Sequence, residues 1–531
     1  MKKVGKKFIL ILAAIIIAAV YYYVTIPAIN IHASGFWVFL MLVALAGTVL
    51  YAVPRVRTPS DVKENKGIKA GIFLLLGIGV IYLIGSVLSS PIVNANKYQK
   101  LITVENRKFT EDIKEADYRQ IPLLDRDSAT LLGNRKMGSM VDMVSQFEVS
   151  DLYTQINYQD TPTRVTPLVY ASLIKWFTNQ KNGIPAYIKI DMATQDTELV
   201  KLEKPIRYSQ SELFNRNINR HLRFRYPTYI FDELSFEIDD EGTPYWVCPV
   251  KKFNIGLFGG VTIGRVVLCN AVTGETTDYA VEDCPNWVDH VFAADLLTQL
   301  YDYHGTLQNG FINSVLGQKG CLKTTDGYNY LALEDDVWVY TGITSVSGDE
   351  SNVGFVLMNQ RTMECRYYEI AGAQEYSAMA SAEGQVQNLG YQSTFPLLLN
   401  ISGEPTYFMA LKDDAGLVKK YAMVNIKKYQ NVAIGDTVAE CEKAYNSLLK
   451  ASGIRNTEDI QTKSVSGKIR KIAQGVVDGN SHYYLMLEGK DEIFDVSVVD
   501  YIDIIRYEEG DRVTLEYQEG SPANIVRGVK E

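Results

Sequence analysis

The chain has 531 residues, 47% of them hydrophobic and 22% charged, with 53 Lys and Arg against 62 Asp and Glu. That length holds about two to four domains with ample buried core. The first 90 residues carry nine bases and two acids, leaving 44 bases against 60 acids beyond them; a part so acidic is excluded as a phosphate-backbone binder.

Residues 8–29, 35–53 and 70–90 are strongly apolar and free of Asp, Glu, Lys and Arg. Each has about the 20 residues that a helix needs to cross the hydrocarbon core. They predict a three-helix membrane anchor over 1–90. A cleaved signal peptide is the rival reading of the first stretch, whose apolar run is long for one. Four lysines precede that stretch, residues 30–34 hold no Lys or Arg, and residues 54–69 hold five bases. The positive-inside rule then places the N-terminus and the second loop in the cytoplasm and everything after residue 90 outside. Tyr21, Tyr22 and Tyr23 fall near the outer interface. No ionisable residue sits within a span, which disfavours a pump or transporter. Gly71, Gly77, Gly79 and Gly85 allow close helix contacts in the third span.

Residues 91–160 read as a helical stalk, with a helix from Asp127 or Ser128 that Gly133-Asn134 interrupts and that resumes over 137–147. A strand over 152–158 and an amphipathic helix over 171–179 follow. The capping box Ser209-x-x-Glu212 predicts a helix through Leu222. Pro285 opens another that ends at His304-Gly305, a third covers 374–387, and Thr437-x-x-Glu440 opens a fourth that stops at Gly453.

Between these helices an apolar strand followed by [Asp/Asn]-x-x-Thr-x-[Asp/Glu] occurs three times, at Asp191, Asn270 and Asn359, with separations of 79 and 89 residues. Asn and Gly accept positive φ at least cost, so each copy reads as a β-hairpin turn. Gly183-Ile-Pro185, Gly242-Thr-Pro244 and Gly403-Glu-Pro405 also precede strands. The recurrence predicts duplicated α/β modules rather than one continuous enzyme domain. From residue 456 five short strands, near 465–472, 482–487, 493–498, 512–517 and 524–527, predict a small closed barrel, with turns at Asp478-Gly479-Asn480 and Glu509-Gly510-Asp511. The expected fold class is a membrane anchor of three transmembrane helices, an α+β extracytoplasmic region of repeated helix/antiparallel-hairpin modules over 161–310 and 311–455, and a C-terminal OB or SH3-like β-barrel over 456–531.

Catalytic signatures are weak. The Gly-rich stretch 256–260 lacks the Gly-Lys-[Ser/Thr] ending of a phosphate loop and reads as a hairpin connection. Cys284 and His290 lack a third, orienting group. Asp239-Asp240 and Asp335-Asp336 lack EF-hand spacing and read as solvated turns. The six cysteines show no C-x-x-C and no zinc spacing with the five histidines, so buried thiols are expected and no catalytic, metal or cofactor residue is assigned. If strands 245–250 and 265–269 pair symmetrically about Phe258-Gly259, Cys248 faces Cys269 as a reduced neighbour on a buried face. The one candidate surface is basic: Arg216, Arg220 and Arg223 at i, i+4 and i+7 on the helix opened by Ser209, with His221 and Arg225 beside them. Such a stripe suits an anionic wall polymer, lipid headgroup or carboxylate-rich partner. Intramolecular pairing is the plainer alternative.

The segment Pro244-Tyr-Trp-Val-Cys-Pro-Val and the following 266–275 resemble PepSY-type modules, extracytoplasmic α/β units of bacterial envelope proteins, some proposed to restrain peptidases. The family's strand–Asp-x-x-Thr-Gly-[Glu/Lys] turn is matched by Asn270, Thr273, Gly274 and Glu275, with Asn for Asp; the other copies have Gln195 and Met363 in place of the Gly. The chain as a whole resembles multi-span envelope proteins of Gram-positive anaerobes. With the apolar spans, the basic stripe and the acidic outer region, the resemblance leads to the expectation of a membrane-anchored, non-enzymatic binding or regulatory protein of the bacterial cell envelope, with the bilayer and a protein or anionic wall polymer as partners and no nucleic acid. A scaffold subunit of a membrane complex and an envelope hydrolase are the alternatives.

Overall fold

A computed structural model describes all residues except 1, 54, 57–63, 117–120, 346–350, 453–462, 478–479, 499–500, 519–522 and 531. The chain divides into two compact units, Met1–Tyr445 and Asn446–Glu531.

The larger unit begins with helix α1, Lys2–Thr25, followed by α2, Ser34–Ala52, and α3, Lys66–Leu88. Among the described residues α2 and α3 are long and apolar enough to cross a membrane, and α1 contributes a shorter apolar stretch, Ala14–Thr25. Their apolar side chains point away from the protein: Phe73 is 71% exposed and Leu83 64%. Phe39 of α2 packs on Tyr21 and Tyr22 of α1, with ring centroids 6.0 Å apart in both pairs. Gly71 of α3 lies so close to α2 that a Cβ there would fall 2.3 Å from the Thr48 hydroxyl, whereas Gly77 and Gly79 meet nothing within 4 Å. Residues 54 and 57–63 of the basic stretch 54–69 lie outside the described residues.

No helical stalk follows. Among the described residues of 91–124, Pro91–Gln99, α4, and the single turn Phe109–Asp112 are helical; Val104–Arg107 is a strand that pairs in parallel with Cys365–Tyr368, and Phe147–Val149 and Thr154–Tyr158 are strands of the first sheet. Helix α5, Arg126–Gly138, runs unbroken through Gly133-Asn134. Gly133 is there for space, since a Cβ would lie 2.2 Å from the Tyr153 hydroxyl.

Four larger sheets then follow in chain order, antiparallel except where Val104–Arg107 joins the third. The first runs Phe147–Val149, Thr161–Tyr170, Ile184–Asp191, Thr197–Ile206, with Thr154–Tyr158 also on Thr161–Tyr170; the second runs Thr276–Ala280, Gly259–Asn270, Pro244–Ile255, Ser235–Ile238. The third is built round Asp336–Ser345 and Gly354–Asn359, the fourth round Glu404–Lys412 and Val418–Asn425. Strand alternation gives each sheet two apolar faces. Trp246, Cys248 and Cys269 enter a core shared with the first sheet, while Val247, Val266 and Leu268 enter one shared with Val339, Val356 and Met358 of the third. The opposite face of the third sheet, with Tyr340 and Phe355, meets Tyr407 and Met409 of the fourth. Lys412 of the fourth sheet pairs with Asp125, and Ser128 donates to the Gly416 carbonyl, so the succession returns to the helix that covers the first sheet.

The three [Asp/Asn]-x-x-Thr turns share one geometry. Asp191, Asn270 and Asn359 each accept two amides, at positions +2 and +3, through Oδ1, and Thr194, Thr273 and Thr362 each accept the amide two residues on. The residue after each Thr has positive φ, 67° at Gln195, 75° at Gly274 and 66° at Met363. Side-chain acceptors hold the turn strongly enough that Gly is dispensable.

Two expected helices begin late. Ser209 Oγ does accept the Glu212 amide, but Glu212 is buried, accepting from Tyr170 and the Trp176 indole, and Phe214 has φ +51°. Only a 3₁₀ turn, Phe214–Arg216, precedes α7, Ile218–Arg225, which Asn217 caps; α6 is the preceding Leu173–Asn179. Likewise α8 spans Ala294–Thr306 and not Pro285 onward, because the amides of Asp289 and His290 go to Glu237 and those of Val291 and Phe292 to the Gln360 carbonyl. Helices α9, Glu375–Gln385, and α10, Val438–Ala451, lie where expected, the latter with its full capping box: Thr437 Oγ1 accepts the Glu440 amide and Glu440 accepts the Thr437 amide.

The central hairpin is shifted by two residues from symmetric pairing. Trp246 faces Cys269 and Cys248 faces Val267, with a bulge between Val250 and Lys251. An even shift preserves the face, so both cysteines remain buried and unbridged in one core.

In the smaller unit five strands close a barrel in the order Lys463–Val477, Asn480–Leu487, Phe494–Ser497, Asn524–Lys530, Arg512–Gln518. Leu485, Leu487, Phe494, Val496, Val513 and Leu515 fill it. Residues 478–479 of its first expected turn lie outside the described residues.

Candidate functional site

The basic residues do not form one helical stripe. Arg216 sits in the 3₁₀ turn and donates to the Gln180 carbonyl at 2.8 Å. Arg220 and Arg223, on α7, reach the last turn of α1 and the link beyond it. Arg220 Nε donates to the Tyr23 carbonyl at 3.3 Å, with its guanidinium 4.9 Å from the centre of the Tyr23 ring. Arg223 Nε donates to the Ile26 carbonyl at 2.9 Å, and burial pulls its pKa down. His221 faces away, donating to the Gly274 carbonyl at 2.7 Å behind the second turn, and Arg225 is exposed. Among the described residues none of the four arginines is within ion-pair distance of a carboxylate. The acceptors of Arg216, Arg220 and Arg223 are main-chain carbonyls, which leave the positive charge uncompensated.

The Gly-rich connection 256–260 also meets the helices. It is a hairpin tip, as expected, seated on the end of α3: Leu257 and Phe258 lie over Gly85, the Phe258 amide donates to Ser89 Oγ at 3.1 Å, and His32 Nδ1 donates to the Leu257 carbonyl at 2.7 Å. Phe258 completes an aromatic group with Trp37 and Tyr82. Gly256 and Gly260 have φ near +60°, and a Cβ on Gly259 would lie 2.1 Å from the Ser89 carbonyl oxygen. Here the glycines serve close approach to a helix end, not to a phosphate. Sequence spacing gave no sign of the partner, about 170 residues away.

A second polar centre lies where three sheets meet. Glu237 accepts the amides of Asp289 and His290 and the Ser235 hydroxyl; Asp289 accepts the amides of Asn157, at 2.7 Å, and Val337, at 3.2 Å. Both carboxyls are buried, and desolvation raises both above the usual carboxylate range, Asp289 further through the charge of Glu237. Arg164, across the seam, is also buried. It makes one side-chain bond, 3.4 Å to Gln155, and its Nε, Gln155 Nε2 and Gln360 Oε1 have no partner. A cavity of about 200 Å³ opens beside them, lined by Arg126, Tyr153, His290, Asp295, Tyr328 and Tyr330 among others. Its unpaired polar atoms mark it as a water-holding seam.

No activated pair is found in it. Burial pushes the Cys284 thiol up to about 12 and the His290 imidazole down to about 4, and His290 donates to the Gln155 carbonyl at 2.9 Å instead of facing a thiol. Asp239 closes its own turn by accepting the Glu241 and Thr243 amides, and Asp336 is buried in a bidentate pair with Arg361. Among the described residues no cluster of His, Cys, Asp or Glu has the makings of a metal site.

No known protein family and no curated protein matches the chain. Among solved structures it is similar to the β-fructofuranosidase BmSUC1 of Bombyx mori, of glycoside hydrolase family 32, at 9% identity and TM-score 0.16, covering 74% of this chain and 69% of that one. A Synechocystis apocarotenoid oxygenase gives 9% identity and 0.14 over 74% and 67%. A structure described as "Structural mimicry for functional antagonism" gives 12% and 0.11 over 26% and 88%. Likenesses this slight carry no argument about fold or chemistry.

Proposed function

We propose that the protein is a non-enzymatic, membrane-anchored binding or regulatory protein of the bacterial cell envelope, with three spans, the N-terminus in the cytoplasm and residues 91–531 outside. The three shared turns are read as PepSY-like modules. The observation that carries this reading is which helix ends touch the sheets. Arg220 and Arg223 bind the end of α1, Asn30 and His32 of the link to α2 bind Thr228 and Leu257, and Ser89 at the end of α3 holds Phe258. In a three-pass anchor these are the ends that emerge on one side. The opposite ends carry the lysines and arginines that the positive-inside rule assigns to the cytoplasm. A cysteine introduced at Ser466 is expected to react with an impermeant maleimide in intact cells, and one at Ser60 to stay silent. Labelling at Ser60 alone overturns the orientation.

The arginines beside α1 favour an anionic partner at the headgroup level, since their charge has no internal counter-ion. Full-length protein in mild detergent is expected to retain anionic phospholipid, and less of it after charge reversal at Arg216 and Arg220 or at raised salt. Equal lipid in both proteins, with a lower melting temperature in the variant, would assign these residues to internal support alone. A scaffold role draws support from Gly77 and Gly79, two positions on α3 that meet nothing within 4 Å and leave room for another helix to approach. A partner protein retained only by the full-length chain, and lost with Gly77→Leu, is the result that reading predicts.

A further inference from the structure

The loop after α8, whose middle forms a turn of π-helix over Asn313–Gly317, exposes apolar residues that none of the described residues covers. Ile312 is 74% exposed, Val315 56% and Leu316 81%. Soluble loops place polar side chains outward, and this one does the reverse. Asn309 and Asn313 turn inward and both donate to the Lys319 carbonyl, Asn313 Oδ1 accepts the Lys319 amide, and Ser314 donates to the Phe311 carbonyl. The amides of Ser314 and Gln318 bond within the same loop. Polar groups are thus satisfied internally while three aliphatic side chains project, as a segment entering an apolar medium requires. Between His304 and Asp326 the only charged residues are Lys319 and Lys323.

The base of the loop fixes its height. Phe311 and Leu307 share a small core with Tyr98, Ala95 and Ile255. Tyr98 donates to the carbonyl of Ser89, the residue after α3, at 2.6 Å, and Ile255 leads directly into the hairpin tip seated on that helix end. The projecting side chains therefore stand at the level where α3 ends, and Ile92 and Val93, at the start of α4 just after α3, are themselves 63% and 55% exposed.

We propose that residues 312–316 rest in the outer leaflet of the bilayer, with Ile312, Val315 and Leu316 at the boundary of headgroups and acyl chains and Lys319 at the phosphates. This gives the β-rich region a second footing, apart from the helices. The proposal rests on the membrane-anchor reading, and its test separates the two.

Full-length protein carrying Leu316→Cys, labelled with the environment-sensitive dye NBD, is reconstituted into phosphatidylcholine–phosphatidylglycerol vesicles. Lipid bearing a nitroxide near the headgroup is expected to quench the dye, and aqueous iodide to leave it bright. A dye quenched by iodide and untouched by the lipid nitroxide overturns the proposal. So does a dye shielded from both, which would place a second copy or another protein over the loop. The same dye at Leu76→Cys, midway along α3, reports on the anchor: quenching there by a deep nitroxide with none at Leu316 sinks the footing alone, while silence at Leu76 sinks both.

Discussion

Asp289→Ala is expected to destabilise the larger unit by about 2–6 kcal/mol. The substitution strands two buried amides, from Asn157 in the first sheet and Val337 in the third, and an unmet buried donor costs about 1–3 kcal/mol. Relief of Glu237 from a neighbouring charge offsets part of that. Asp289→Asn removes the charge and keeps one acceptor but turns the other oxygen into a donor facing a buried amide, so it should recover only part of the loss. The two carboxyls also set a pH dependence. Their folded pKa values lie above the ordinary carboxylate range of about 3.9 for Asp to 4.3 for Glu, so their protonated forms favour the fold. Their contribution is fully present below that range and is lost as pH rises toward neutrality. The wild-type melting temperature should fall over this window more steeply than that of Asp289→Asn. Equal slopes, or an alanine variant as stable as wild type, would remove this centre from any role in joining the sheets.

Gly259→Ala is the second large effect expected, about 1–3 kcal/mol from overpacking. The new Cβ would meet the Ser89 carbonyl at 2.1 Å and the Tyr98 hydroxyl at 2.3 Å, one of them backbone at a helix end that has little room to move. Relief requires lifting the tip from α3, which breaks the Phe258 amide bond to Ser89 and parts Phe258 from Trp37 and Tyr82. Faster proteolysis near residue 257 and a changed tryptophan emission are the readouts. Gly77→Ala is the matched control, because that site meets nothing within 4 Å. If both variants behave as wild type, the tip is not held by close approach.

What could be read from sequence was what local rules decide. The apolar runs behind α2 and α3, the barrel's strands and the capping box at Thr437 all depend on residues within a few positions of one another. The three shared turns were legible for the same reason, since Asp191, Asn270 and Asn359 bond amides two and three residues on. The rest depended on distant groups. A helix from Pro285 fails because Glu237, about 50 residues earlier, takes its amides. The stripe of arginines breaks because the buried Glu212 is drawn to Tyr170 and Trp176. The cysteine register slips by two because the turn is centred on Leu257, not on Phe258-Gly259, and the bulge between Val250 and Lys251 takes back one residue of that displacement. Glu237, Asp289 and Arg164 carry no spacing signal, and only the packing of three sheets brings them together.

The six thiols have a practical consequence. All are unbridged and at most 6% exposed, and burial raises the pKa of Cys248, Cys269, Cys284, Cys365 and Cys441. A thiol that neither ionises nor meets solvent is a poor nucleophile toward maleimides, oxidants and other disulfides. The natural chain therefore supplies its own silent background: single introduced cysteines can report without first stripping the protein of its own.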